Sequence, residues 1–111
     1  MAESEGVLVK TYVTEEGKCP FESWYEALKD KKIRAKIDIA ITNLRLGNYG
    51  DSGPVGNGVH ERRIHFGPGY RRYFANDGKT LIILLCGGAK KNQNKDIKVA
   101  KKYWEDYKSR K

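Results

Sequence analysis

The stretch "KTLIILLC", Lys79 to Cys86, restricts the possible folds more than any other part of the chain. It shows no alternation of apolar and polar residues, so it is predicted as a central strand covered on both faces. Its apolar run, Leu81 to Cys86, is far too short to span a bilayer. "NDGK" (Asn76 to Lys79) just before it is a strong hairpin turn, because Asn, Asp and Gly tolerate positive φ. The strand therefore pairs back onto the segment upstream, "YRRYFA" (Tyr70 to Ala75), which is aromatic and basic. "VHERRIH" (Val59 to His65) is a further, more polar strand.

The other elements follow from periodicity. "VLVKTYV" (Val7 to Val13) is short, β-branched and aromatic, and reads as a first strand. Pro20 suits the first turn of a helix, where its missing N–H would be unpaired anyway. Phe21, Trp24, Tyr25 and Leu28 then recur at helical spacing. Cys19 stands where a Ser or Thr cap is expected, so that cap is weak. After a break at "DKK" (Asp30 to Lys32), a second helix carries Ile33, Ile37, Ala40, Ile41 and Leu44 on one stripe, and Gly47 can stop it. The two helices are predicted to form a helical hairpin with one apolar face. "GNYGDSGPVGNG" (Gly47 to Gly58) is glycine-rich and reads as a loop. "GGAKKNQNKD" reads as a basic loop. A last helix, about Asp96 to Tyr107, places Ile97, Ala100, Trp104 and Tyr107 on one face.

The order β-α-α-β-β-β-α segregates strands from helices. The fold class is α+β, with a mainly antiparallel twisted sheet packed against the N-terminal helical hairpin and a C-terminal helix. The 111 residues fit a single domain, 1–111.

Charge bears on function. The net charge is +8 and the pI about 9.5, so a polyanion is the first partner to consider. A basic protein with no such partner is the plain alternative. The acidic start, "MAESEGVLVK", lacks a signal-peptide pattern. Cys19 and Cys86 match no metal spacing, and Cys86 reads as a buried free thiol. Together these favour a reducing cytoplasm.

Candidate chemistry gathers at "HERRIHFGPGYRRYF". If the loop between the two strands has an odd length, Arg63 pairs with Arg71 on one face with Tyr73, and Ile64 and Phe74 cover core on the other. An even length would pair Arg63 with Arg72. Two guanidiniums on one face can clamp a phosphate through forked, charge-assisted bonds. Lys90 or Lys91 could add a third charge, and the neighbouring tyrosines could stack on a base. The same residues also fit a solvated edge whose arginines lie over apolar surface and pair with Glu61. His60 and His65 fall on opposite faces of a regular strand, which disfavours a paired-histidine nuclease and a two-histidine metal site; no metal is expected. The glycine-rich loop lacks a P-loop lysine, and Asp51 and Ser52 form no recognisable triad. The lysines of the last helix read as a solvated face.

"GVHERRIHFGPGYRRYF" followed by "TLIILLCGGAKKNQNKDIKVAKKY" resembles the RelE/HigB-like toxins of type II toxin–antitoxin modules, in particular the addiction-module killer group. "PFESWYEALKD" and "LRLGNYGDSGPVGNGVHE" are similar to the same pattern, so the resemblance spans nearly the whole chain. It implies a microbial-RNase-like fold and ribosome-dependent endonucleolytic cleavage of mRNA without a cofactor. It implies partners too: ribosome, mRNA and a cognate antitoxin, often with a helix-turn-helix domain. The antitoxin contact is expected on the helical hairpin or the last helix.

By this resemblance Arg71 falls at the arginine that contacts the scissile phosphate. Arg63 falls at a basic position for charge stabilisation or proton transfer, and Lys90 or Lys91 near the basic position after the last strand. Glu61 stands where some relatives carry a second lysine. Asp96 and Ile97 occupy the region of a C-terminal tyrosine used by some relatives. Tyr73 or His65 could take the proton-transfer role instead. Arg62, Tyr70, Arg72 and His65 are expected to bind RNA. Two other functions fit the chain: a ParE-like inhibitor of DNA gyrase, and a non-catalytic nucleic-acid-binding module.

Overall fold

A computed structural model describes residues 7–111 of the chain. The acidic start read above lies mostly outside the described residues. A five-stranded mixed sheet is sandwiched between helices, in the order β1 (Leu8–Thr11), α1 (Pro20–Ala27), α2 (Lys31–Arg45), β2 (Ser52–Gly56), β3 (Val59–Ile64), β4 (Tyr70–Asn76), β5 (Leu81–Ala89) and α3 (Gln93–Ser109). The strands lie side by side as β1-β5-β4-β3-β2, with β1 parallel to β5 and every other pair antiparallel.

The uniformly apolar strand β5 lies inside the sheet, between β1 and β4. Its side chains alternate between two cores. Ile82 and Leu84 join Phe21 of α1, Ile33, Ile37 and Leu44 of α2, and Ile64 and Phe74. Ile83 and Leu85 join Tyr12, Val59, Tyr73 and Ala75, together with Ala100 and Trp104 of α3. The helical stripes thus cover opposite faces of one sheet, which is why β5 shows no polar alternation. Leu85 and Phe74 are fully buried, and truncating Phe74 to Ala costs about 3–5 kcal/mol.

Local chemistry sets the helix ends. Pro20 occupies the first turn of α1, and Cys19 makes no side-chain cap, as expected from its weak acceptor. Asp30 caps α2 by accepting from the Lys32 amide at 2.8 Å. The segment read as a break is therefore a cap, and α2 begins at Lys31.

Two loops of the sequence reading are strands. Ser52–Gly56 pairs antiparallel with β3, joined by a turn at Asn57 and Gly58 with φ of 58° and 85°. Positive φ at both central residues is the tight-hairpin signature of an Asn-Gly pair. Pro54 is tolerated because β2 is the sheet edge. At the other end, "GGA" continues β5 rather than starting a loop, and Gly88 and Gly87 pair with Arg71 and Arg72. Both glycines are needed for packing. A Cβ on Gly87 would collide with the Trp24 ring on the α1 side, and one on Gly88 with the Asp96 carboxylate on the α3 side. No helix among the described residues is long and apolar enough to cross a membrane.

Candidate active site

The β3–β4 register decides which basic side chains meet. Arg63 pairs with Arg71, Glu61 with Tyr73 and Arg62 with Arg72, which is the odd-loop arrangement. Glu61, Arg63, Arg71 and Tyr73 therefore share the α3 face. Ile64 and Phe74 pack in the opposite core with Tyr70 at its margin.

Between the two arginines lies Glu61, only 4% exposed. Its Oε2 is 3.1 Å from Arg63 Nε and its Oε1 is 3.6 Å from Arg71 Nε. Gln93, at the start of α3, donates to Oε1 at 2.7 Å. A carboxylate so placed offsets the mutual repulsion of the guanidiniums and fixes the edge of Arg63, while Arg71 Nε, at 3.6 Å, has no hydrogen-bond partner among the described residues. Arg71 also donates from Nη1 to the Tyr70 carbonyl at 3.1 Å.

Arg63 is held on its far side as well. Its Nη1 donates to Asp51 Oδ1 at 2.9 Å, and its Nη2 lies 3.1 Å from where a Cβ on Gly53 would stand. The other Asp51 oxygen, Oδ2, is 2.5 Å from His65 Nε2. Hydrogen bonds from His65 and then Arg63 hold the Asp51 carboxyl below its ordinary range, so it is ionised at neutral pH. Nothing near Asp51 in sequence signals this pairing. It depends on β2 lying beside β3, with Ser52 opposite Arg62.

The Gly-Pro-Gly turn and the end of β5 enclose an open cleft of about 340 Å³ lined by His65, Phe66, Gly67, Pro68, Gly69, Arg71 and Lys90. The Lys90 amide donates to the Gly69 carbonyl at 3.0 Å, which ties the turn to the residue after β5. A Cβ on Gly69 would touch the Lys90 side chain at 3.4 Å. Three of the sequence candidates, His65, Arg71 and Lys90, thus border one concavity. Lys91 is exposed nearby in the same short turn. A second shallow cleft, lined by Lys36, Ile39, Arg62, Arg63, Ile64 and His65, meets the first at His65.

Other candidates lie elsewhere. Tyr73 is completely buried, and its hydroxyl has no hydrogen-bond partner among the described residues. Burial, with the Asp96 and Glu61 charges behind it, pushes its pKa well above the usual phenol range. The sequence reading put Tyr73 on the reactive surface; packing beneath α3 puts it inside. Arg72 is also fully buried, and among the described residues none of its Nε, Nη1 and Nη2 has a partner. Burial, then the Arg62 charge, pulls its guanidinium down to about 9. Of the four residues expected to bind RNA, only His65 borders the cleft of the Gly-Pro-Gly turn. Arg62 lies on the neighbouring cleft, where its Nη1 donates to the Arg63 carbonyl at 2.7 Å, and Tyr70 is half-buried against the core beneath α1 and α2. Cys86 is a free, buried thiol whose pKa burial raises to about 12. Among the described residues, no group of three or more His, Cys, Asp or Glu side chains is placed to hold a metal ion.

No protein-family model matches the chain. An uncharacterized protein of Haemophilus influenzae is 45% identical over 95 residues, spanning 86% of this chain and 90% of its own length. Identity at that level and coverage fixes a common fold and ancestry, and the chain belongs to the same family as that Haemophilus influenzae protein.

Proposed function

We propose that the protein is a RelE/HigB-like toxin of a type II toxin–antitoxin module, acting in the cytoplasm as a ribosome-dependent endoribonuclease on mRNA. One observation carries this reading: Arg71, His65 and Lys90 border a single cleft, with Arg63 joined to Arg71 through one buried carboxylate. RNA holds its own nucleophile, the 2′-hydroxyl next to each phosphate. An enzyme then has to align the hydroxyl in line with the leaving oxygen, move protons and stabilise the charge that builds on the phosphoryl oxygens. Arg71 is the charge stabiliser in this scheme, with Lys90 and Lys91 assisting and Arg63 setting the pose of the shared carboxylate.

Dependence on the ribosome follows from the same chemistry. Arginine stays protonated and is a poor proton acceptor. The cleft is open and shallow, so it does little to force a flexible RNA into the in-line geometry. A ribosome that already holds mRNA in a bent path supplies that alignment. A cognate antitoxin protein would hold the toxin inactive until its release.

A second reading, a non-catalytic nucleic-acid-binding module, is favoured by the Glu61 contact, since the arginines it holds are already partly neutralised. In vitro translation with purified protein separates the two. Primer extension should show mRNA cut within codons in the presence of ribosomes. Intact mRNA with salt-dependent RNA binding would favour the binding module, and intact mRNA with accumulated DNA breaks would favour a gyrase inhibitor.

A further inference from the structure

We propose that Asp51 and His65 form the proton-accepting pair of this site, with His65 Nδ1 taking the proton of the attacking 2′-hydroxyl and Asp51 as its positioning residue. The inference rests on the ribonuclease reading above and supplies the base that the arginines cannot.

His65 Nε2 and Asp51 Oδ2 are hydrogen-bonded at 2.5 Å. An ionised carboxylate can only accept, so the ring must carry its hydrogen on Nε2. A neutral imidazole has one hydrogen, which leaves the Nδ1 lone pair open. His65 makes no other side-chain hydrogen bond among the described residues. Arg63 holds the second oxygen of Asp51 at 2.9 Å, so the carboxylate cannot swing freely. A nucleophile's base turned by a third group is the general form of an activated pair.

Position favours His65 over the other candidate. Tyr73 is fully buried with a raised pKa, whereas the His65 side chain is 69% exposed and lines the cleft that holds Arg71 and Lys90. The charged groups facing the ring are Asp51 from the segment entering β2, Arg71 and Lys90 across one cleft, and Lys36, Arg62 and Arg63 across the other. The cations draw the phosphate in, and the Asp51 carboxylate holds the ring by its Nε2 edge.

In the step itself, the 2′-oxygen loses its proton to His65 Nδ1 as it forms a bond to phosphorus. The bond from phosphorus to the 5′-oxygen breaks, and that oxygen takes a proton from water. The products are a 2′,3′-cyclic phosphate and a 5′-hydroxyl, with no oxidation or reduction.

The test is single-turnover cleavage of an mRNA on programmed ribosomes across pH, with wild type, His65→Ala and Asp51→Asn. Both side chains are exposed, and circular dichroism should confirm that the variants fold. His65→Ala should cut about 10²–10⁴-fold more slowly, lose the wild-type rise in rate with pH, and recover in part when imidazole is added. Asp51→Asn should fall less and keep the rise. If wild type cuts and Arg71→Ala does not, while His65→Ala cuts within twofold of wild type with an unchanged pH profile, the base assignment is overturned and the ribonuclease reading stands. If wild type leaves mRNA intact on the ribosome, both are overturned.

Discussion

Arg71 and Arg72 are consecutive residues of β4, and the pleat of the sheet sends one toward α3 and the other toward the face covered by α1 and α2. Both are buried, at 6% and 0% exposure. Arg71 has the Glu61 carboxylate at 3.6 Å, the Tyr70 carbonyl at 3.1 Å and one side on the cleft. Among the described residues Arg72 has no hydrogen-bond partner; it lies over the Phe74 ring, 5.6 Å from its centroid, with Arg62 as its cross-strand neighbour. The same side chain is thus a compensated cation on one face and an uncompensated one on the other. A buried guanidinium without a carboxylate costs stability, and burial accordingly lowers the Arg72 pKa to about 9.

The contrast can be broken by substitution. The largest expected effect is from Glu61→Ala, which removes the carboxylate from both Arg63 and Arg71. Breaking a buried pair by removing one partner costs about 3–5 kcal/mol, and urea unfolding should show a loss of that size. Arg71→Met should cost less, about 3 kcal/mol at most, because Arg63 and Gln93 still hold Glu61. Arg72→Met should move stability the other way. Replacing an unpaired buried cation by an apolar chain of similar length should gain about 1 kcal/mol or more, and a loss in thermal unfolding would mean that Arg72 has a partner. The smallest effect concerns pH. Burial raises the Asp96 pKa above the ordinary carboxylate value of 3.8, so the folded state binds this proton more tightly than the unfolded chain. Stability from this group is greatest below that value, declines as pH rises toward the raised folded value, and is level beyond it. Asp96→Asn should flatten that decline in acid-range unfolding curves.

Much of this arrangement was legible in the chain, for identifiable reasons. The unbroken apolar run of β5 announced cover on both faces. The requirement that Ile64 and Phe74 reach core selected the register that pairs Arg63 with Arg71. Pro54 and the crowded glycines hid β2, although Asn57-Gly58 carried the hairpin signal. Gly87 and Gly88 read as punctuation but are strand residues, because their missing side chains make room for Trp24 and Asp96. The depth of Arg72 was hidden because a strand pattern gives a side, not how far a helix closes over it. The Asp51–His65 contact depended on the unseen strand, so it could not be read before β2 was placed.

On the proposed reading Arg71, which borders the Gly-Pro-Gly cleft, stabilises the phosphoryl charge during cleavage. The direct measurement is the single-turnover rate of mRNA cleavage on programmed ribosomes for wild type and folded Arg71→Ala, with the ends mapped. A fall of about 10²–10³-fold, the range for losing one preorganised donor, is the predicted result. Equal rates for the two proteins would contradict it.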